Sequence, residues 1–288
     1  MPASNPRAMA KARTLACDAV ALDLEDAVAP DAKVAARAAL IDAARAGGFG
    51  HRRLIARINA LTTPWGHDDL AALAHAPIDA LLVPKIASEH DIAALSDAMD
   101  AAGYPARVPL WVMIETPLAV LAIARIAAMA ASTRLGAFML GLNDLAKDTG
   151  MVQAPGRAVF MPVLVQAVLA ARANGLILLD GVCNAIDDPA RLEAECSQAR
   201  DLGFDGKTLI HPSQIDIANR VFAPDAAALA QAQAIVAAFA EPANAGKAAL
   251  KVDGKMAELL HRDMAASLIA RAQAIAARGS DAAIAGTT

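Results

Sequence analysis

The chain has 288 residues, enough for one large α/β domain or two small ones. A formal charge of −4 argues against the broad basic footprint that nucleic acid demands. Hydrophobic residues make up 57% of the chain, much of it alanine, and no apolar run of about 18 residues or basic-then-apolar N-terminus suggests a bilayer span or signal peptide. Cys17, Cys183 and Cys196 are too few and scattered for a disulfide framework or zinc knuckle, so a reducing cytoplasm is the expected location.

Short apolar runs alternate with longer alanine-rich segments. The strand candidates are "DAVALDLED", "RLIARIN", "DALLVPKI", "PLWVMIE", "AFMLGLND", "LILLDGV" and "GKTLIHP". Helix candidates cover roughly 31–46, 67–76, 88–102, 118–132, 157–174 and 188–202. This βαβα order predicts a parallel sheet with crossover helices, and it counts seven strands. A barrel and a doubly wound sheet both fit that count.

The polar residues favour the barrel. Run after run ends in a charged or hydrogen-bonding residue: Glu25 and Asp26, Arg57 and Asn59, Lys85, Glu115, Asn143 and Asp144, His211. A TIM barrel gathers the C-terminal ends of many strands around one mouth, whereas a doubly wound sheet concentrates its ligand groups at one switch point. Alternation agrees: Val20, Leu22 and Leu24 share one strand face, and Asp23 and Glu25 the other. By the same rule Arg57 and Glu115 point inward, while Asp144 breaks the alternation at a strand end. After His211 the pattern changes to a turn and a long helix, a glycine- and lysine-punctuated stretch, a last helix over about 260–277 and a frayed tail. The expected organisation is a barrel domain over 1–224 and an appended helical extension over 225–288 that covers a mouth or packs on a neighbouring subunit.

Glu115 and Asp144, with Glu25 or Asp26 nearby, form an all-oxygen set suited to Mg²⁺ or Mn²⁺. The competing reading is an ion pair of Glu115 with Arg57 or Lys85. Arg57 and Lys85 are candidates for an anionic substrate, or for neutralising the barrel acids. His211 reads as a structural residue or a general base. The stretch "DLGFDGKT" is no Walker A loop, because Asp201 stands where its first glycine belongs; Lys207 could still meet a phosphate as a point charge.

The segments "SNPRAMAKARTLACDAVALDLEDAV", "RIN", "VPK", "IETPLAV", "GLNDLAKDTG", "LDGVCN", "GFDGKTLIHPSQI", "VFAPD" and "VDGKMAELLH" occur in this order. Together they resemble the citrate lyase beta-subunit-like branch of the HpcH/HpaI aldolase and citrate lyase family, over about residues 3–265. The resemblance implies a TIM (β/α)8-type barrel with Mg²⁺ at its mouth, assembled as a homotrimer or hexamer, acting on a CoA thioester. It implies Glu115 and Asp144 as metal ligands and Glu25 and Asp26 around metal-bound water. Arg57, with Lys85 and Asn59, would hold the substrate. It places Glu258, in a C-terminal lid, where the family carries an acid, often Asp. The implied reaction is cleavage or formation of the C–C bond of a 3-hydroxyacyl-CoA such as malyl-CoA, giving an acetyl-CoA-type thioester and a 2-oxo acid such as glyoxylate. A malyl-CoA-type thioesterase and a non-catalytic or carrier-dependent citrate-lyase-like subunit are the alternatives. The family's first strand, with its "RSxLFVPG"-type motif, is missing before "MPASNPRAM", so the barrel is expected to lack one strand and the natural chain to begin upstream.

Overall fold

In the computed structural model, which describes residues 1–285, seven apolar runs form a parallel sheet paired in chain order. They are β1 Ala19–Asp23, β2 Arg53–Arg57, β3 Ala80–Val83, β4 Leu110–Ile114, β5 Leu135–Leu140, β6 Ile177–Asp180 and β7 Gly206–Lys207. The helix α1 Pro6–Ala12 precedes β1, and between the strands lie α2 Lys33–Ala46, α3 Gly66–Leu73, α4 Glu89–Ala101, α5 Pro117–Ala128, α6 Leu142–Thr149, α7 Met161–Ala173 and α8 Pro189–Leu202.

Sequential parallel order has an architectural consequence. Each right-handed crossover places its helix on the same side of the sheet. One face is therefore covered by helices, and the other must curl on itself to be buried, which is the TIM-like wall. The inner face carries Ile55, Ala80, Leu82, Trp111, Met113, Ala137 and Met139 as one buried cluster, flanked by Ala19, Ala21 and Leu179. Leu110, Val112 and Ile114 alternate with these and are also buried, as strands covered on both faces require. Outside β1, Met1–Ala3 runs alongside in a parallel bridge: Met1 donates to Ala21, Asp23 to Met1, and Ala3 to Asp23, at 2.8–2.9 Å. This fragment occupies the edge where the resemblance puts a first strand. Among the described residues no pairing joins β7 to β1.

Several boundaries differ from expectation. The "AFMLGLND" run is strand only to Leu140, and its last three residues open α6. The "GKTLIHP" run supplies only two strand residues. The helix α1, begun by the Asn5 cap and Pro6, was not anticipated.

The chain divides into two compact units, Met1–Asn219 and one beginning at Arg220, with α9 Ile215–Phe222 spanning the division. The second unit holds α10 Ala226–Ala240, the antiparallel strands β8 Ala249–Val252 and β9 Lys255–Glu258, and α11 Leu259–Ala285. The β8–β9 turn is Asp253-Gly254, both at positive φ (47° and 81°), the pairing that a two-residue hairpin favours. The last helix runs to Ala285, past the expected end near 277; residues 286–288 of the expected tail lie outside the described residues. Pro212–Ala240 has the length and apolarity to cross a bilayer by composition alone. However, Pro224 and the Asp225 cap separate α9 from α10, and Asp216 and Arg220 lie along α9.

Candidate active site

Five consecutive strands deliver charged side chains to one end of the sheet. Asp23 is the last residue of β1, and Glu25 lies just beyond it. Arg57 ends β2, Lys85 follows β3, Glu115 follows β4, and Asp144 lies in the first turn of α6 after β5.

Arg57 is clamped by a residue that the sequence placed inward without giving it a role. Its Nε donates to Asp23 Oδ1 at 2.7 Å and its Nη2 to Asp23 Oδ2 at 2.6 Å, a two-pronged carboxylate grip. Asp23 also accepts from the backbone N–H of Glu25 (2.8 Å) and Ala27 (3.1 Å). Burial pushes the Asp23 carboxyl up, but the Arg57 contacts and the two amides outweigh it and hold it below the ordinary value. The third guanidinium nitrogen, Nη1, lies 2.9 Å from Glu25 Oε2, attracted but not aligned for a hydrogen bond. It donates to Met113 Sδ at 3.6 Å. Desolvation opposes the charge on Arg57, yet Asp23 and Glu25 raise its pKa further, so it remains a fixed cation.

Glu115 is fully buried. Its Oε1 accepts the Lys85 N–H at 2.8 Å, and its Oε2 has no hydrogen bond. Burial pushes its carboxyl up to about 7, against the pull of Lys85. Burial likewise raises Glu25, with Arg57 opposing. Lys85 takes a left-handed backbone conformation, φ 57°, unusual for a lysine. Its ammonium bonds Asp144 Oδ1 and lies 3.5 Å from Glu115 Oε1 and 3.7 Å from Glu25 Oε1. Three carboxylates therefore converge on one positive charge.

The surrounding backbone explains the motif residues. Gly141 lets α6 approach β4: a Cβ there would lie 2.4 Å from Glu115 Cβ and 2.5 Å from its Oε2. Thr116 caps α5 by accepting from Ala119 N–H and ties the mouth together by donating to Ile86 O at 2.8 Å. Lys33, which the sequence did not single out, donates to Leu24 O, Glu25 O and Asn59 Oδ1 at 2.7–2.8 Å, pinning the β1 end to the β2 end.

The other candidates make contacts of their own. Asn59 is buried, with Oδ1 taken by Lys33 and Nδ2 donating to Asp69 at 2.6 Å; its side chain braces the fold and is not presented to a substrate. Asp26 is exposed beside Glu25. The Lys207 side chain is fully buried, paired with Asp180 at 2.7 Å and Glu195 at 3.2 Å, so it is closed to a phosphate. His211 caps the turn Pro212–Gln214, accepting from Ser213 N–H at 3.2 Å. Glu258 ends β9 in the second unit, where its N–H donates to His261 Nδ1 at 3.0 Å. Cys183 and Cys196 are buried, and desolvation pushes both thiols up, Cys196 to about 11, which disfavours the thiolate.

The donor set fits a hard divalent cation. Among the described residues, no group of three or more His, Cys, Asp or Glu has the arrangement of a protein-only metal cage. Mg²⁺ does not need one: it is commonly held by one or two carboxylates, with water and substrate oxygens completing the shell. Glu115 and Asp144 supply two carboxylates, and the buried Glu115 Oε2 is an oxygen without a hydrogen-bond partner.

The family model for HpcH/HpaI aldolase/citrate lyase matches residues 1–212. A (3S)-malyl-CoA thioesterase from Cereibacter sphaeroides is 45% identical over 280 residues, covering 97% of this chain and 95% of the relative. An L-malyl-CoA/beta-methylmalyl-CoA lyase from Rhodobacter capsulatus is 32% identical, covering 94% of this chain and 92% of the relative. Among solved structures, CitE from Mycobacterium tuberculosis in complex with magnesium, acetoacetate and coenzyme A superposes with a TM-score of 0.75. It is 31% identical and covers 95% of this chain and 96% of that one.

Proposed function

This chain belongs to the HpcH/HpaI aldolase/citrate lyase family, and within it we propose a Mg²⁺-dependent enzyme that hydrolyses a malyl-CoA-type thioester. The observation that carries the reading is the convergence of Glu25, Glu115 and Asp144 on one point, with Glu115 Oε2 buried and without a hydrogen bond. The preference for hydrolysis rests on the 45% identity to the thioesterase against 32% to the lyase.

Glu115 and Asp144 would hold the ion, with Glu25 and the exposed Asp26 beside its water. When bound, Mg²⁺ supplies Lewis acidity and a template for the carboxylate and hydroxyl oxygens of the substrate. Arg57 is the electrostatic component. Its charge is permanent, and Asp23 fixes the orientation of its plane. In hydrolysis, water adds to the thioester carbonyl and negative charge grows on that oxygen before CoA thiolate leaves. In C–C cleavage, the hydroxyl proton is removed and charge grows on the same oxygen as the thioester enolate forms. A prepositioned guanidinium stabilises either, because the charge it meets is larger in the transition state than in the substrate.

That shared demand is why lyase activity is the second reading, supported by the malyl-CoA lyase relative at 32%. Product analysis with (3S)-malyl-CoA separates them. Malate with free CoA supports hydrolysis, whereas glyoxylate with acetyl-CoA supports the lyase. Neither product with Mg²⁺ present would overturn the catalytic reading. Assembly as a homo-oligomer, with the acid Glu258 near a neighbour's mouth, belongs to the same proposal, and sedimentation of the full chain tests it.

A further inference from the structure

The mouth already contains a cation of its own. Lys85 Nζ hydrogen-bonds to Asp144 Oδ1 and lies 3.5 Å from Glu115 Oε1, so it touches both carboxylates assigned above to the metal. It also lies 3.7 Å from Glu25 Oε1. Mg²⁺ bonds oxygen at about 2.0–2.1 Å, so an ion held by the same two oxygens, Glu115 Oε1 and Asp144 Oδ1, would compete with the ammonium for its place. The two cations would also repel at a separation where little solvent intervenes.

The lysine is arranged so that its tip can leave while its root stays. Its N–H is bonded to Glu115 Oε1 at 2.8 Å, and its backbone holds φ 57°. The side chain is 34% exposed, against none for Glu115, and four flexible carbons separate the anchored root from the tip. By contrast the Arg57 guanidinium is gripped at two nitrogens by Asp23.

We infer that Lys85 is a tethered counter-ion: it holds the three carboxylates together in the metal-free protein and is displaced from Asp144 when a divalent cation binds. The displaced ammonium then stands at the rim of the mouth, available to the anionic end of the substrate. Metal entry and substrate capture are thereby linked through one side chain. Lysine suits this role because its charge is a compact point on a flexible stem, whereas arginine would hold the carboxylate with a fork.

The inference rests on the metal reading, and the test separates the two. Mn²⁺ binding to the full chain is followed by the electron paramagnetic resonance signal of free Mn²⁺, for wild type, Lys85→Met, Glu115→Gln and Asp144→Asn. Removing the competing charge should tighten Mn²⁺ binding by about tenfold or more, the scale of a close like-charge interaction in a partly screened site. Glu115→Gln and Asp144→Asn should weaken it strongly. Unchanged or weaker binding by Lys85→Met, with the two carboxylate variants impaired, overturns the counter-ion role and leaves the metal site standing. Wild-type binding by both carboxylate variants overturns both readings. A crystal structure of the Mn²⁺-loaded wild type needs no variant: Nζ beyond hydrogen-bond distance of Asp144 supports displacement, and Nζ still bonded there refutes it.

Discussion

Replacing Gly141 by alanine adds one methyl group at the point where α6 meets β4. The backbone at Gly141 has φ −110°, so no left-handed conformation is lost and the effect is steric. The new Cβ would lie 2.4 Å from Glu115 Cβ and 2.5 Å from Glu115 Oε2. Carbon atoms in contact normally sit about 3.5–4.0 Å apart, so the pair must separate by more than about 1 Å. Glu115 has no exposed surface into which to retreat. Either α6 shifts outward, carrying Asp144, or Glu115 turns away from Lys85. Overpacking of this kind costs about 1–3 kcal/mol. Misplacing a catalytic group by about 1 Å costs about 100-fold in rate. Urea unfolding measures the first and kcat/KM for malyl-CoA measures the second. A variant that matches wild type in both would refute the claim that Gly141 is required by close approach to a functional Glu115.

Asp23→Asn should destabilise the protein by about 3–5 kcal/mol at pH 7, since it leaves the Arg57 fork facing an amide. The pH dependence follows from the lowered Asp23 pKa. The unfolded carboxyl titrates near 3.8, so the stabilisation is complete well above that value and is lost as pH falls through the lower folded value. The stability gap between wild type and Asp23→Asn should be constant between pH 5 and 7 and close in stronger acid; a gap unchanged down to pH 2 contradicts this. Lys207→Met removes a buried charge that pairs with Asp180 and Glu195. It should cost about 3–5 kcal/mol in urea unfolding while leaving the ratio of malate to glyoxylate products unchanged. A shifted product ratio would mean that this network reaches the chemistry.

The barrel wall was readable because strands buried on both faces are written as apolar runs and the mouth is written at their ends. The inward direction of Asp23, Arg57 and Glu115 follows from simple alternation. Asp144 broke that alternation because it is not in the strand; β5 ends at Leu140, Gly141 caps α6, and α6 begins at Leu142. Asn59 misled for a related reason. A polar residue at a strand end can equally well brace its neighbours, and Lys33 and Asp69, distant in sequence, decide which. No local signal marks Lys33 as that brace or pairs Asp23 with Arg57, since both contacts are made by side chains brought together only when strands pair. The β8–β9 hairpin did carry a local signal, Asp253-Gly254, which was hidden in a stretch with weak alternation around it.

The most direct test of the proposed site is the metal dependence of malyl-CoA turnover. Wild-type protein stripped with EDTA, and then resupplied with Mg²⁺, is assayed for free CoA and malate beside Glu115→Gln under the same conditions. The account predicts that stripping abolishes turnover, that Mg²⁺ restores it in wild type, and that Glu115→Gln remains inactive. Undiminished turnover in EDTA, or full activity of Glu115→Gln, would contradict it.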